Sequence, residues 1–195
     1  MDRHLRDAMG KYGINTPLRK AHFLAQVAHE SANFTSTREN LNYSVDALLK
    51  LFPRRIDKAT AERIGRKPGQ PADQEAIANA IYGGEWGAKN LGNTEPGDGW
   101  RFIGRGYIQI TGRDNYTAAA KFLGLGGRLL SNPALLESPE LAAHSAAYFW
   151  NSRALNALAD KDDVEGVTRK INGGLNGIDH RRELLAKFKA DLGVV

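Results

Sequence analysis

Cysteine is absent from the 195 residues of the chain. This absence excludes disulfides, thiolate nucleophiles, and zinc or iron-sulfur sites with cysteine ligands. The sequence also lacks any apolar run near the roughly 18 residues that span a bilayer. The N-terminal residues Met1-Asp2-Arg3-His4 contain no apolar segment of the signal-peptide kind. We therefore expect no stable membrane insertion, synthesis in the cytoplasm, and stability from packing alone.

Positive charge exceeds negative charge only moderately in this sequence. The 27 Lys and Arg residues outnumber the 22 Asp and Glu residues, which gives a net charge of +5. This excess suits a polyanionic partner, or an ordinary solvated surface. The densest basic groups, Pro53-Arg54-Arg55 and His180-Arg181-Arg182, have two arginines each. No aromatic stacking platform or reading helix accompanies them, so we expect no nucleic acid partner.

The residues that are present indicate an ordinary globular chain dominated by helices. The composition, with 42% hydrophobic and 25% charged residues, and the length predict one domain over residues 1–195. Apolar residues recur at helical spacing after good start signals such as Thr16-Pro17. The predicted helices run from Pro17 to about Glu30, and at about 45–52, 71–82, 139–150, 163–171 and 179–192.

Glycine, asparagine and proline interrupt this helical pattern between residues 83 and 106. The stretch contains Trp86, Trp100 and Phe102, which are too apolar for a flexible linker. We therefore predict a structured functional loop, because long loops inside compact domains usually have a function. Tyr107, Ile108 and Ile110 predict a short strand after it.

Two glutamates nine positions apart are the candidates for acid-base chemistry. The sequence has no Gly-x-Ser-x-Gly, Walker or His-Glu-x-x-His motif, and His22 and His29 would lie about 10 Å apart, too far for one zinc ion. Glu30 ends a predicted helix, where the helix dipole and apolar neighbours favour its protonated form. Glu39 lies in a polar stretch beside Arg38, which favours its ionised form. Such a pair suits glycoside hydrolysis, although two surface charges would have the same spacing.

Four separated motifs, in order from Ala21 to Arg182, resemble those of glycoside hydrolase family 19. They are His29-Glu30-Ser31, Glu39-Asn40-Leu41-Asn42-Tyr43-Ser44, the segment from Gly97 to Gly112, and Ile171-Asn172-Gly173-Gly174-Leu175-Asn176-Gly177. The chain is most similar to the phage and prophage endolysin branch, although Ala32-Asn33 replaces two glycines that are common there. The resemblance implies a mainly α, lysozyme-like, two-lobed domain with a small β or irregular patch and a central cleft.

The resemblance also implies roles for individual residues. Glu30 matches the general acid and Glu39 the base, which predicts inversion and carboxyl groups about 6.5–9.5 Å apart. Thr94 and Thr111 are alternatives for the hydroxyl that holds the attacking water, and Thr94 is slightly favoured. The candidate substrate-binding residues are Tyr43, Gln109, Asn115, Asn172, and either Arg181 or Arg182.

Structural roles are open for several of these residues. Asn172 before two glycines is also a typical helix terminator. Tyr43 either lines the cleft or holds the Glu39 segment in place, and Trp100 either stacks on a sugar or packs beneath its loop. His29 either tunes the neighbouring acid or is an ordinary histidine at a helix end.

These observations predict an endolysin-type glycosidase that cleaves β-1,4 bonds between amino sugars of bacterial peptidoglycan and lyses the cell. The resemblance implies no metal, no cofactor and no separate wall-binding module. We expect a monomer that reaches the cell wall through a separate pore. The alternatives are a chitinase acting on chitin or chito-oligosaccharides, a non-hydrolytic glycan-binding relative, and a nucleic acid binder.

Overall fold

A computed structural model of the protein describes residues 2–194, so the ends of the predicted domain, Met1 and Val195, lie outside the described residues. Helices make up 62% of the structure, which confirms the prediction of a mainly α fold. The α-helices are α1 (Arg3–Lys11), α2 (Pro17–Glu30), α3 (Val45–Leu51), α4 (Lys58–Ile64), α5 (Gln74–Tyr82), α6 (Gly84–Leu91), α7 (Asp98–Arg101), α8 (Arg113–Leu123), α9 (Arg128–Ser131), α10 (Pro139–Ser152), α11 (Asn156–Ala159), α12 (Val164–Asn172) and α13 (Ile178–Asp191).

The six predicted helices are all present, although α5 begins at Gln74 and not at 71, and the start signals at Thr16 and Ser44 act as expected. The side chains of Thr16, Ser44 and Ser138 each accept a hydrogen bond from a backbone N–H three residues later. These bonds satisfy donors that a helix leaves unpaired in its first turn. None of the helices within residues 2–194 has the length and apolar character needed to cross a membrane.

The described chain divides into two compact units, and the first consists of residues 2–37, 106–109 and 134–194. Its central helix is α2, in which every residue from 21 to 28 is buried. Small alanines on α2 pack against Leu184 and Leu185 of α13. Phe23 of α2 meets Trp150 of α10 edge-on, with ring centroids 5.5 Å apart. Helices α2 and α13 therefore pack directly against each other through these side chains.

The second unit consists of residues 38–105 and 110–133. Its core is formed by aliphatic side chains of α3, α4 and α5, including Leu48, Ile64 and Ile77. Tyr116 of α8 is buried, and its hydroxyl donates to the carbonyl of Ile103 over 2.7 Å. This bond fixes α8 against the segment that leads to Gly104.

Two predictions for residues 83–110 are wrong. The expected loop contains α6 and α7. Helix α6 is possible because Gly87 lies against the end of α5: a Cβ atom there would be 1.9 Å from the Tyr82 carbonyl oxygen. The expected strand is a turn, and residues 2–194 contain isolated β-bridges only. Tyr107 and Ile108 are both buried in the core of the first unit, whereas a half-buried strand exposes alternate residues.

Candidate active site

Glu30 is the last residue of α2, and its side chain is 26% exposed. Its Oε1 atom accepts a 2.5 Å hydrogen bond from Nη2 of Arg181 on α13. Arg181 is almost completely buried, with 2% of its side chain exposed. The expectation of apolar neighbours around Glu30 is therefore wrong, because a buried guanidinium group contacts its carboxylate.

A second bond orients the Arg181 guanidinium. Its Nη1 atom donates to Oε1 of Gln26, one turn before Glu30 on α2, over 2.5 Å. The neighbouring Arg182 lies on the surface, where its Nη2 atom pairs with Glu165 at 2.6 Å. Of the two arginines that the sequence left open, Arg181 is the one that reaches the candidate acid.

His29, next to the candidate acid, forms a pair with His180 of α13. The two Nδ1 atoms are 2.9 Å apart. Burial lowers the pKa of His29, and the positive charge of Arg181 lowers it further. Gly177 makes room for this ring, because a Cβ atom there would lie 2.3 Å from Cε1 of His29.

Asn172 and Gln109 also belong to the first unit. Asn172 ends α12, and its side chain accepts from the N–H of Gly174 over 2.9 Å and donates to the carbonyl of Asn176 over 3.0 Å. The amide thus stabilises the turn after the helix, as expected of a helix terminator. Gln109 is exposed at the end of the turn at 106–109. Sugar binding by either amide stays a prediction.

In the second unit, both carboxylate oxygens of Glu39 accept hydrogen bonds. The backbone N–H of Gly104 donates to Oε1 over 2.5 Å, and the hydroxyl of Tyr82 donates to Oε2 over 2.8 Å. The backbone N–H of Glu39 donates in turn to the Gly104 carbonyl over 2.9 Å. Burial and the charge of Glu39 raise the pKa of Tyr82, so its hydroxyl keeps the proton that it donates.

Sequence analysis missed Tyr82 as a partner of Glu39. The residue appeared there only as the end of a predicted helix, which the structure confirms as the end of α5. Asn93 was also missed: its buried side chain donates to the Tyr82 carbonyl over 2.9 Å and accepts from the N–H of Arg113 over 2.8 Å. It thereby links the end of α5 to the start of α8. No local pattern in the sequence distinguishes this asparagine from a loop residue.

Tyr43 and Trp100 lie in the surroundings of Glu39. Tyr43 packs edge-on against Phe52, with ring centroids 5.5 Å apart, and burial raises its pKa. This contact fits the role of holding the Glu39 segment in place. Trp100 and Glu39 line an open cavity of about 580 Å³, and Cζ of Arg38 lies 4.9 Å from the centroid of the Trp100 ring. Trp100 is partly exposed there.

The three remaining candidates, Thr94, Thr111 and Asn115, belong to the second unit as well. Thr94 is exposed and lies two residues after Gly92, the C-cap of α6. Nδ2 of Asn115 donates to the backbone carbonyl of Thr111 over 2.7 Å at the start of α8. The choice between the two threonine hydroxyls stays a prediction, as does sugar binding by Asn115.

Comparison with known proteins identifies the family. No family model matches the chain. A glycosyl hydrolase family 19 domain-containing protein from Haemophilus influenzae is 43% identical over 177 residues, which cover 89% of this chain and 80% of that protein. The chain belongs to glycoside hydrolase family 19. It is therefore a glycosidase, as the sequence motifs predicted.

Two further comparisons concern the fold and the relatives of this family 19 glycosidase. Chitinase C from Streptomyces griseus has a similar structure, with a TM-score of 0.61 over 99% of this chain and 70% of that chain, at 23% identity. This similarity confirms the family 19 chitinase fold. An endochitinase from Arabidopsis thaliana is 49% identical over 75 residues, which cover 37% of this chain and 25% of that protein.

Proposed function

We propose that this family 19 glycosidase is an endolysin-type enzyme that cleaves β-1,4 bonds between the amino sugars of bacterial peptidoglycan. Glu30 protonates the departing glycosidic oxygen, and Glu39 removes a proton from the attacking water, so the anomeric carbon is inverted. The observation that carries the proposal is the difference between the two carboxyl groups: Glu39 accepts bonds at both oxygens, whereas Glu30 is held by an arginine at one.

The surroundings of Glu39 support the role of base. Two donors, the N–H of Gly104 and the hydroxyl of Tyr82, point at its two oxygens. These two bonds fix the orientation of the group, as a base that takes a proton from a positioned water requires.

In the proposed mechanism, Arg181 acts on Glu30 after the proton has been transferred. Arg181 contacts Oε1 only, and among residues 2–194 no group donates a hydrogen bond to Oε2. Oε2 is then the atom that carries the proton to the leaving oxygen. After the transfer, the guanidinium stabilises the negative charge that is left on Glu30.

A turbidity assay on bacteria with permeabilised outer membranes tests the proposal. We expect Glu30→Gln and Glu39→Gln each to lower the rate of lysis by about 100-fold or more, because general acid-base catalysis contributes factors of about 10² to 10⁴. Glu183→Gln, which changes an exposed glutamate of α13, serves as the matched control and should retain the rate. Lysis at the parental rate by folded Glu30→Gln protein would contradict the role of Glu30.

A chitinase is the second candidate, favoured by the similarity to plant endochitinases. Chitin and peptidoglycan both contain β-1,4 bonds between amino sugars, so the same acid-base pair serves either substrate. Mass spectrometry of digested peptidoglycan, beside hydrolysis of chitohexaose, separates the two. Release of muropeptides supports the endolysin, whereas hydrolysis of chitohexaose without muropeptides supports the chitinase.

A further inference from the structure

The end of α3 exposes a leucine, and the basic turn that follows it lies against an exposed tryptophan. We propose that this surface, the interfacial patch, binds the surface of a bilayer of anionic lipids. It consists of Lys50, Leu51, Arg54, Arg55 and Trp86. The patch would lie in the headgroup region without crossing the membrane. The proposal does not depend on which glycan the enzyme cleaves.

Exposed large apolar side chains are rare in this protein and concentrate on the patch. Among residues 2–194 there are three: Leu51 is 56% exposed, and Trp86 and Phe122 are each 39% exposed. Leu51 and Trp86 both belong to the patch. Tryptophan favours the boundary between water and lipid, where its ring meets apolar chains and its N–H meets headgroups.

The turn between α3 and α4, which follows Leu51, is held in place by backbone hydrogen bonds. The carbonyl of Phe52 accepts hydrogen bonds from the N–H groups of Arg55 and Ile56, both over 3.0 Å. Ile56 is buried in the core of the unit, with 2% of its surface exposed. Asp57 then caps α4 by accepting from the N–H of Thr60 over 2.7 Å. The Phe52 carbonyl before the arginines, and the buried isoleucine and the cap after them, fix the turn.

Arg55 joins this turn to α6. Its Cζ atom lies 3.4 Å from the centroid of the Trp86 ring, and Nη1 donates to the carbonyl of Ile81 over 3.0 Å. The stacked pair places a positive charge directly on the exposed aromatic ring. The leucine, the arginines and the tryptophan therefore form one continuous surface.

The charge of the patch points to an anionic partner. Residues 50–58 include four basic residues and one acidic residue, a net charge of +3 within a chain whose net charge is +5. Near Trp86, Glu85 and Lys89 balance each other. A cluster of basic residues combined with exposed leucine and tryptophan is typical of surfaces that bind anionic lipids. A polyanion alone would use the charges and leave the leucine without a partner.

Vesicle binding by the full chain tests the proposal, with vesicles of phosphatidylglycerol and phosphatidylcholine compared with pure phosphatidylcholine. We expect the parent to bind the anionic vesicles at least about tenfold more tightly, and Trp86 emission to shift to the blue. Arg54→Ser should weaken this binding about fivefold, the contribution of one basic residue near an anionic surface. Leu51→Ser should weaken it about tenfold, and Trp86→Phe should remove the blue shift.

Phe122→Ser is the matched control, because Phe122 is as exposed as Trp86 but lies in a segment with few charges. It should change vesicle binding by less than about twofold. Parental turnover of a soluble oligosaccharide by all variants would show that they are folded. Equal binding to both kinds of vesicle, or equal losses in Leu51→Ser and Phe122→Ser, would overturn the proposal. So would vesicle binding that survives Leu51→Ser and is matched by binding to a soluble polyanion.

Discussion

At the scale of single residues, the hydroxyl of Tyr82 has the clearest consequence for the candidate base. It donates to Oε2 of Glu39, and its raised pKa keeps it protonated. We expect Tyr82→Phe to lower kcat about tenfold, because the Glu39 carboxylate loses one of the two donors that aim it. A hydrogen bond to a charged group contributes about 1.5–3 kcal/mol.

The division of the effect between kcat and KM distinguishes this role from a general structural effect. Loss of a donor that aims the base should lower kcat and leave KM nearly unchanged, because the hydroxyl acts on the base and not on substrate binding. Tyr148→Phe on α10, in the first unit, is the control and should leave both constants in place. An unchanged kcat in Tyr82→Phe would mean that the hydroxyl does not act on the base.

Three consecutive residues after Glu30 adopt a conformation that favours glycine. Ala32, Asn33 and Phe34 have φ angles of 48°, 56° and 66°. Such left-handed conformations cost L-residues about 1–2 kcal/mol each. Ser31 holds the turn in place, since its Oγ atom donates to the carbonyl of Val27 and accepts from the N–H of Phe34. The strain therefore lies directly beside the candidate acid.

Ala32→Gly should raise the free energy of unfolding by about 0.5–1 kcal/mol, because glycine adopts the left-handed conformation without the Cβ clash. Urea denaturation measures the change. The control is Ala118→Gly at an exposed position of α8, which should lower the free energy of unfolding by about 1 kcal/mol. Losses of similar size in both variants would show that the turn is not strained.

At the scale of elements, the sequence predicted the three longest helices, α2, α10 and α13, with or without a side-chain cap, and missed several shorter ones. Thr16 and Ser44 accept the expected bonds at the starts of α2 and α3. Helix α6 begins at Gly84 without a side-chain cap and contains a further glycine, so its helix propensity is low. It is stabilised by packing at Gly87, which lies against the end of α5. Tertiary contacts of this kind have no signal in local sequence.

His22 helps to connect α2, the turn at Asp162 and α13, and it makes the free energy of unfolding depend on pH. It is fully buried on α2, and its Nε2 atom is 2.7 Å from Oδ1 of Asp162, which also pairs with Lys189 of α13. Its Nδ1 atom is buried without a hydrogen-bond partner. Burial lowers the pKa of His22 below 6.5 despite Asp162, because a second proton would sit on this unpaired nitrogen.

The direction in which the free energy of unfolding changes with pH follows from proton binding. Below about pH 6.5 the unfolded chain protonates His22 before the folded chain does. The stability that neutral His22 contributes is thus complete above pH 6.5 and is lost as the pH falls toward the lower folded pKa. Urea denaturation between about pH 7.5 and pH 5 should show this loss, at no more than about 1.4 kcal/mol per pH unit for one histidine. His22→Gln should reduce the slope, and an unchanged slope would contradict the assignment.

At the scale of the whole molecule, the motifs predicted the family and the candidate carboxyl groups, but the partners of those groups come from distant parts of the chain. Arg181 is 151 positions from Glu30, and Tyr82 is 43 positions from Glu39. Periodicity and spacing predict contacts within one element, and they give no information about residues that are far apart in the sequence. Glu30 consequently has a guanidinium partner where local sequence predicted apolar surroundings.

The net charge of +5 predicts how the enzyme responds to salt. The substrate under the proposed function is the anionic bacterial wall, so long-range attraction should raise the rate at which the enzyme encounters it. The Debye length falls from about 30 Å at 0.01 M salt to about 8 Å at 0.15 M, which screens this attraction. We expect lysis of permeabilised cells to slow several-fold over this range, while hydrolysis of neutral chitohexaose, the control substrate, changes little. Equal salt dependence on both substrates would show that salt acts on the enzyme itself and not on its encounter with the anionic wall.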